Sequence, residues 1–375
     1  MNFDFSDDQK LLKDQARKFL TDKSGMKVVR NILDTDELYA KDVWKGIVEM
    51  GWTGTAIPEA YGGIGLGHLE LCMIAEELGR SLAPVPFSSS VYLATEALLI
   101  AGSEAQKQKY LPALAAGESI GTLALSEGMQ AASPKNMKVS FEGGKVNGVK
   151  MPVPDGDIAN FAIVVVKTGS GGDEKSVSLA IVDLTGAGVT REPLKTLDPT
   201  RDLSNISFNG APAELLGAQG SGWMVLQQVL DRAAVLVAFE QVGGADAALN
   251  MAREYALNRY AFGRPIASFQ AIKHKLADMY IKNELARSNS YYGAWALSTN
   301  APDLPAAAAG SRVAATEAFN FAAKENIQTH GGMGFTWEFD CHLYYRRAKW
   351  LSLSLGSHLS WKDRLVSELE KRNAA

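Results

Sequence analysis

The chain has 375 residues, 46% of them hydrophobic, and a formal net charge of −4. That length buries a sizeable core and leaves room for two or three domains. The mild acidic balance gives no reason to expect nucleic-acid binding, and two cysteines, Cys72 and Cys341, are too few and too far apart for a disulfide framework or a zinc site.

The N-terminal stretch MNFDFSDDQK is acidic and has no basic region leading into an apolar run, so it does not read as a secretory signal. No uninterrupted apolar stretch reaches transmembrane length, and a cytoplasmic protein without membrane contact is expected. Residues 1–118 read as helical. Ser6 and Gln9 have capping-box spacing, and Leu11, Leu12, Ala16, Phe19 and Leu20 follow at helical spacing. Further helices are predicted over 44–50, 68–78, 89–101 and 106–116, the last bent or broken at Pro112. Residues 119–222 carry β-branched runs at 161–166, 176–182 and 204–208, separated by Gly-rich turns, which predicts a β-sandwich or barrel-like domain. Residues 223–375 return to helix, with segments predicted at 223–242, 246–259, 268–298, 306–330 and 357–372. The fold class is therefore mainly α with a central β domain, and the domains are 1–118, 119–222 and 223–375. Neither a GxGxxG after a strand nor a GxxxxGK[ST] is present, so Rossmann and P-loop sites are not indicated.

Glu240 is the only charged residue between Ala233 and Ala245. A carboxylate in such an apolar helix must be neutralised, paired or used. It reads either as a general base or as half of a buried structural pair with Arg312, His274 or His330.

Two C-terminal segments carry more than texture. One runs from Arg259 through Phe262-Gly263 to Gln270, and the other from Gln328 through Gly331-Gly332 to Phe335, followed by Tyr345-Arg-Arg-Ala-Lys349. With Pro58-Glu-Ala-Tyr61-Gly62-Gly63 and Asp198-Pro-Thr-Arg201, they make the chain resemble the acyl-CoA dehydrogenase family over its whole length. The resemblance implies a C-terminal four-helix bundle, dimers and tetramers, and FAD as cofactor. It implies that Arg259, Phe262, Gln270, Gln328, Gly331 and Gly332 hold the FAD of a partner subunit. The chemistry suits them, since an arginine pairs with pyrophosphate and paired glycines expose backbone N–H groups. His330, inside the glycine-rich segment, reads as a cofactor contact or a structural histidine.

The chain departs from the family pattern in two places. Where members carry threonine-glutamate-proline, it reads Ser126-Glu127-Gly128, so Ser126 replaces the threonine hydroxyl toward FAD. Where members carry tryptophan-isoleucine-threonine, it reads Pro152-Val153-Pro154, and the ring-stacking tryptophan is missing. The family's usual base positions fall on Leu355 and Ala233, neither of which is acidic. Glu240 follows Ala233 by seven residues, on one helical face with Val237, and Gly243-Gly244 are expected to leave room beside it. Leu355 and Gly356 are expected at the substrate, with the Leu355 N–H toward the thioester carbonyl. His358 is a minor alternative base.

The resemblance thus implies α,β-dehydrogenation of an acyl-CoA thioester with Glu240 as base, and electron-transfer flavoprotein as acceptor. The assembly is a homotetramer or a heterotetramer with a related subunit, the substrate being the thioester of a steroid or other polycyclic side chain. Two alternatives stand beside it: a non-catalytic partner subunit of an α2β2 enzyme, and an acyl-CoA oxidase. No metal site is expected.

Overall fold

The computed structural model describes residues 5–374. The reading of the acidic N-terminus falls in part on residues 1–4, outside that range. By contact density the chain divides into two compact units. One comprises Met1–Asn31, His68–Ala83 and Ala234–Ala375, and the other Ile32–Gly67 and Pro84–Ala233.

Helices come first along the chain: α1 (Asp7–Lys23), α2 (Met26–Asp34), α3 (Lys41–Glu49), α4 (His68–Arg80), α5 (Glu96–Ala101) and α6 (Glu104–Ala115). The expected capping box opens α1. The Gln9 N–H donates to Ser6 Oγ at 3.2 Å, and the Ser6 N–H donates to Gln9 Oε1 at 2.9 Å. Ser103 and Gln106 build the same box at α6, which continues through Pro112. The predicted helix at 89–101 is split: Ser88–Thr95 is π-helical and only then does α5 begin. Thr95 Oγ1 donates to the Ser90 carbonyl five residues back, which supports the wider register.

Seven strands follow: β1 (Gly121–Ala124), β2 (Ser140–Glu142), β3 (Lys145–Pro154), β4 (Phe161–Lys167), β5 (Val177–Asp183), β6 (Val189–Pro193) and β7 (Leu203–Leu216). β4 pairs with β2 and with β5, β2 with β3, β3 with β7, and β7 with β5. That circuit closes, which leaves its five strands without a free edge, as barrel-like closure requires. Residues 161–166 and 177–182 are buried throughout, so their β-branched runs fill the interior.

The third stretch holds α7 (Gly222–Asn258), the hairpin strands β8 (Tyr260–Ala261) and β9 (Arg264–Pro265), α8 (Gln270–Ser298), α9 (Leu304–His330), α10 (Cys341–Leu353) and α11 (His358–Ala374). The two helices predicted on either side of Gly243-Gly244 are one. A Cβ at Gly243 would overlap the Glu76 carbonyl of α4, and one at Gly244 would strike the Phe319 ring of α9. These glycines are therefore close-packing positions, and the room expected beside Glu240 is filled by α4 and α9. Ala238, Val242, Ala286, Ala315 and Ala318 continue the same packing among α7, α8 and α9, where small side chains let the helices approach. α7 is long and apolar enough to cross a bilayer, but 72% of its apolar window is buried inside the protein, as in a core helix. Cys72 and Cys341 are both buried.

Candidate functional site

Glu240 sits in mid-α7, 3% exposed, on one face with Ala233 and Val237, both also buried. Its charged neighbour is Arg312 of α9, 1% exposed. Burial pulls the Arg312 guanidinium down to about 9, and the Glu240 charge opposes that pull. Arg312 Nη1 donates to Gln241 Oε1 at 2.5 Å and to Thr316 Oγ1 at 3.2 Å, while Nη2 donates to the Leu351 carbonyl. Of the three partners considered for Glu240, Arg312 is thus the electrostatic one. His274 is exposed, and His330 stacks on Tyr255 with ring centroids 4.0 Å apart.

Leu355 and Gly356 follow α10. Trp361 Nε1 donates to the Leu355 carbonyl at 3.1 Å, and the Leu355 N–H makes no hydrogen bond among the described residues. That N–H is available to an acceptor. His358, the minor alternative base, has its Nε2 3.1 Å from Glu317 Oε1.

At one end of the helical bundle, β8 and β9 form a two-residue hairpin whose central residues, Phe262 and Gly263, both have positive φ, +53° and +78°. Such a turn needs φ > 0 at both central positions. Glycine adopts that conformation freely, whereas phenylalanine is strained by it, by about 1–2 kcal/mol. The Phe262 ring is 96% exposed, with Phe269 beside it at a centroid distance of 6.3 Å. Arg259 precedes the hairpin, and Gln270 opens α8; both are exposed. The Lys275–Glu325 pair at 2.7 Å ties the start of α8 to the end of α9, and the Tyr255–His330 stack ties α7 to the same end. Gln328, Gly331 and Gly332 therefore lie at the end of the bundle that carries the hairpin. A Cβ at Gly331 or Gly332 would meet only open space. Guanidinium, two amides, an exposed aromatic and unobstructed glycine backbone form a donor set suited to a dinucleotide. On these observations the bundle end fits the ADP half of FAD.

The β unit presents Ser126, half-buried, beyond β1. The Ser126 carbonyl accepts the Met151 N–H at 2.7 Å, and the Gly128 N–H donates to the Met151 carbonyl at 2.8 Å. Pro152 and Pro154 bring no aromatic ring, hydroxyl or N–H, whereas Ser126 brings a hydroxyl. Next to Pro154, Asp155 adopts φ +51° and accepts hydrogen bonds from Ser89 Oγ and from Arg201 Nη2, the latter at 3.2 Å; Arg201 also donates to Ser88. Asp198-Pro-Thr-Arg201 is thereby explained as the segment that anchors this corner.

Burial raises the neighbouring Asp202 carboxyl to about 6; the Asp157 N–H opposes the rise, and the charges of Asp155 and Asp157 add to it. A carboxyl raised on folding takes up protons on folding. Its contribution is present below the unfolded value and is lost as pH rises through about 6. Asp202→Asn keeps an oxygen for the Asp157 N–H. It is expected to gain about 1–2 kcal/mol over the wild type at pH 7.5, after allowance for solvent screening. The gain vanishes near pH 4. Urea denaturation at the two pH values measures it, and equal differences at both would exclude this origin.

Comparisons with known proteins bear on the family and the fold. The profile of the acyl-CoA dehydrogenase N-terminal domain matches residues 6–118, and that of the acyl-CoA dehydrogenase C-terminal domain matches residues 220–358. Acyl-CoA dehydrogenase IpdE2 of Mycobacterium tuberculosis is 32% identical, over 97% of this chain and 98% of its own length. The solved ChsE4-ChsE5 complex of Mycobacterium tuberculosis is similar with a TM-score of 0.89 at 26% identity, covering 99% of each chain. A variant of the Tcur3481-Tcur3483 steroid ACAD is similar with a TM-score of 0.88 at 28% identity, covering 98% of this chain and 99% of that one.

Proposed function

This chain belongs to the acyl-CoA dehydrogenase family and is an FAD-dependent oxidoreductase, and from that premise we propose that it introduces an α,β double bond into an acyl-CoA thioester with Glu240 as base. The observation that carries the reading is a buried carboxylate on α7, charge-compensated by Arg312, in a chain whose two usual base positions are Leu355 and Ala233. Glu240 removes the α-proton. The Leu355 N–H donates to the thioester carbonyl and stabilises the enolate-like charge that develops there. Bound FAD supplies the acceptor for the β-hydrogen as hydride. Arg259, Gln270, Gln328, Gly331 and Gly332 would hold the pyrophosphate and ribose side of a partner subunit's FAD, with Phe262 packed against it, and Ser126 would serve the ring of the FAD at this chain's own β unit. The substrate is the CoA thioester of a steroid or similar polycyclic side chain. The missing tryptophan supports this, as does the resemblance to a steroid acyl-CoA dehydrogenase. Electrons pass on to an electron-transfer flavoprotein.

The exposed FAD-holding residues and the bare Pro152–Pro154 stretch favour one second reading, in which the flavin site is completed only with a related, unlike subunit. The relative solved as a complex of two named chains supports it. The test is the visible spectrum of the purified protein, expressed alone and together with a related subunit. FAD bound in either case, and bleached anaerobically by a steroid-side-chain acyl-CoA, supports the function. Arg259→Ala is expected to weaken FAD binding about 10- to 100-fold, the loss of one or two charge-assisted bonds. Colourless protein from both expressions, or FAD that no acyl-CoA reduces, overturns the proposal.

A further inference from the structure

Lys150 lies in β3 with its side chain fully buried. Its Nζ donates to the Leu125 carbonyl at 3.0 Å and to Glu127 Oε1 at 2.7 Å, and it contacts Met137 Sδ at 3.1 Å. Leu125 and Glu127 are the two neighbours of Ser126, so one ammonium grips the chain on both sides of that residue. Glu127 in turn accepts the backbone N–H of Lys138 at 2.7 Å and of Val139 at 3.2 Å. The pair therefore closes the loop 128–137 at both ends. The loop is not packed down: a hollow of about 150 Å³ lies among Leu125, Glu127, Asn136 and Met137, and Met129 is fully exposed. What holds the Ser126 segment in shape is thus polar.

A buried lysine–glutamate pair is a costly way to gain stability alone, because a methionine of similar length fills the same space without desolvating a charge. Its advantage is orientation. Pro152 and Pro154 supply neither N–H nor hydroxyl, and the Leu125 and Ser126 carbonyls and the Gly128 N–H are already bonded to Lys150 and Met151, so the Ser126 hydroxyl is the group of this segment proposed to meet a ligand.

We infer that Lys150, through Glu127, is a positioning residue for FAD: it holds Ser126 and the flanking backbone in the conformation that the flavin binds. This rests on the reading of Ser126 as an FAD contact. Burial pulls the Lys150 ammonium down to about 8, against the charge and hydrogen bond of Glu127. The charged group facing it is Glu127. The other groups around it are neutral: the Leu125 carbonyl, the Met137 sulfur, and Ile206 in register on β7. The grip therefore weakens in a pH range where the protein can be measured.

The experiment measures FAD affinity and the flavin spectrum on the FAD-bearing assembly. Lys150→Met, neutral and of similar length, is expected to raise the FAD dissociation constant at least about tenfold and to blur the fine structure of the visible band. Glu127→Gln moves both in the same direction. Wild-type affinity is expected to fall about tenfold from pH 7 to pH 9 as the ammonium loses its proton, and the Lys150→Met profile to be flat. A folded Lys150→Met with wild-type affinity and spectrum overturns the inference. If that variant does not fold, a flat wild-type profile overturns it, and a falling one supports it. Arg259→Ala separates the two levels. Loss of FAD there with normal binding by Lys150→Met sinks the lysine alone, whereas a wild-type assembly without FAD sinks the flavin reading and this inference together.

Discussion

Glu240→Gln is expected to keep the fold and bound FAD while slowing reduction of the flavin by acyl-CoA about 100- to 10,000-fold, the usual weight of a general base. Glutamine preserves the size and one acceptor oxygen, but it cannot take the α-proton. Anaerobic stopped-flow bleaching reads the chemical step directly, free of any later electron acceptor. The competing role for Glu240 is structural compensation of Arg312, which is buried and fixed by Gln241, Thr316 and Leu351. That role makes a different prediction. Leaving a buried guanidinium without its counter-charge costs about 3–5 kcal/mol of stability, with the bleaching rate per bound flavin unchanged. A wild-type bleaching rate in Glu240→Gln would end its assignment as base. The packing around Gly243 and Gly244 bears on the choice of variant. α4 and α9 already fill that side of α7, so the isosteric amide is the appropriate probe and a larger residue is not.

The largest stability effect is expected at Glu76. Its carboxylate is fully buried and meets Lys13 Nζ at 2.6 Å and Arg287 Nη1 at 2.5 Å, with Arg80 at 3.9 Å. Burial by itself would raise this carboxyl; Arg287 and Lys13 together outweigh burial and hold it below the ordinary range. Glu76 thereby joins α1, α4 and α8, and its backbone carbonyl packs against Gly243 of α7. Glu76→Gln is expected to cost about 3–5 kcal/mol at pH 7, because Arg287 and Lys13 lose their shared anion. A depressed carboxyl stabilises above the unfolded value, about 4.3, and that contribution is lost as pH falls through the lower folded value. The gap between wild type and variant should therefore close as the solution is acidified below about pH 4. The Lys371–Glu368 pair, with an exposed lysine and a half-buried glutamate on the last helix, is the control: Glu368→Gln is expected to change stability by less than about 1 kcal/mol. A Glu76→Gln cost no larger than that of Glu368→Gln would refute the network.

Much of this was legible along the chain because it depends on near neighbours. A capping box is four residues, and Ser6–Gln9 forms as its spacing predicts. The runs at 161–166 and 177–182 are buried strands because β-branched side chains suit a filled barrel interior. Glu240 was conspicuous for the same reason: its apolar surroundings are its own helical neighbours. Lys150 passed unnoticed, although a signal existed. Val146, Gly148 and Lys150 share one face of β3, so a buried Val146 points Lys150 inward as well. A lysine on a strand reads as solvated until that parity is followed.

Other features had two meanings that no local rule separates. Gly243-Gly244 signals a helix end as readily as a close crossing, and the backbone of α4 and the ring of Phe319 made it a crossing. The exposed strain at Phe262 is invisible until φ is known. Among three candidate partners for Glu240, separated from it by up to 90 positions in the chain, packing put Arg312 beside it. The sequence by itself determined the helix–strand–helix order, the family and an anomalous carboxylate, because periodicity, capping and motif spacing are encoded among residues close along the chain. The tertiary structure decided which charge meets Glu240, which glycines are contacts, and that one buried lysine brackets Ser126. Those outcomes depend on long-range burial, where the cost of desolvating a charge is settled by whichever partner the fold brings beside it.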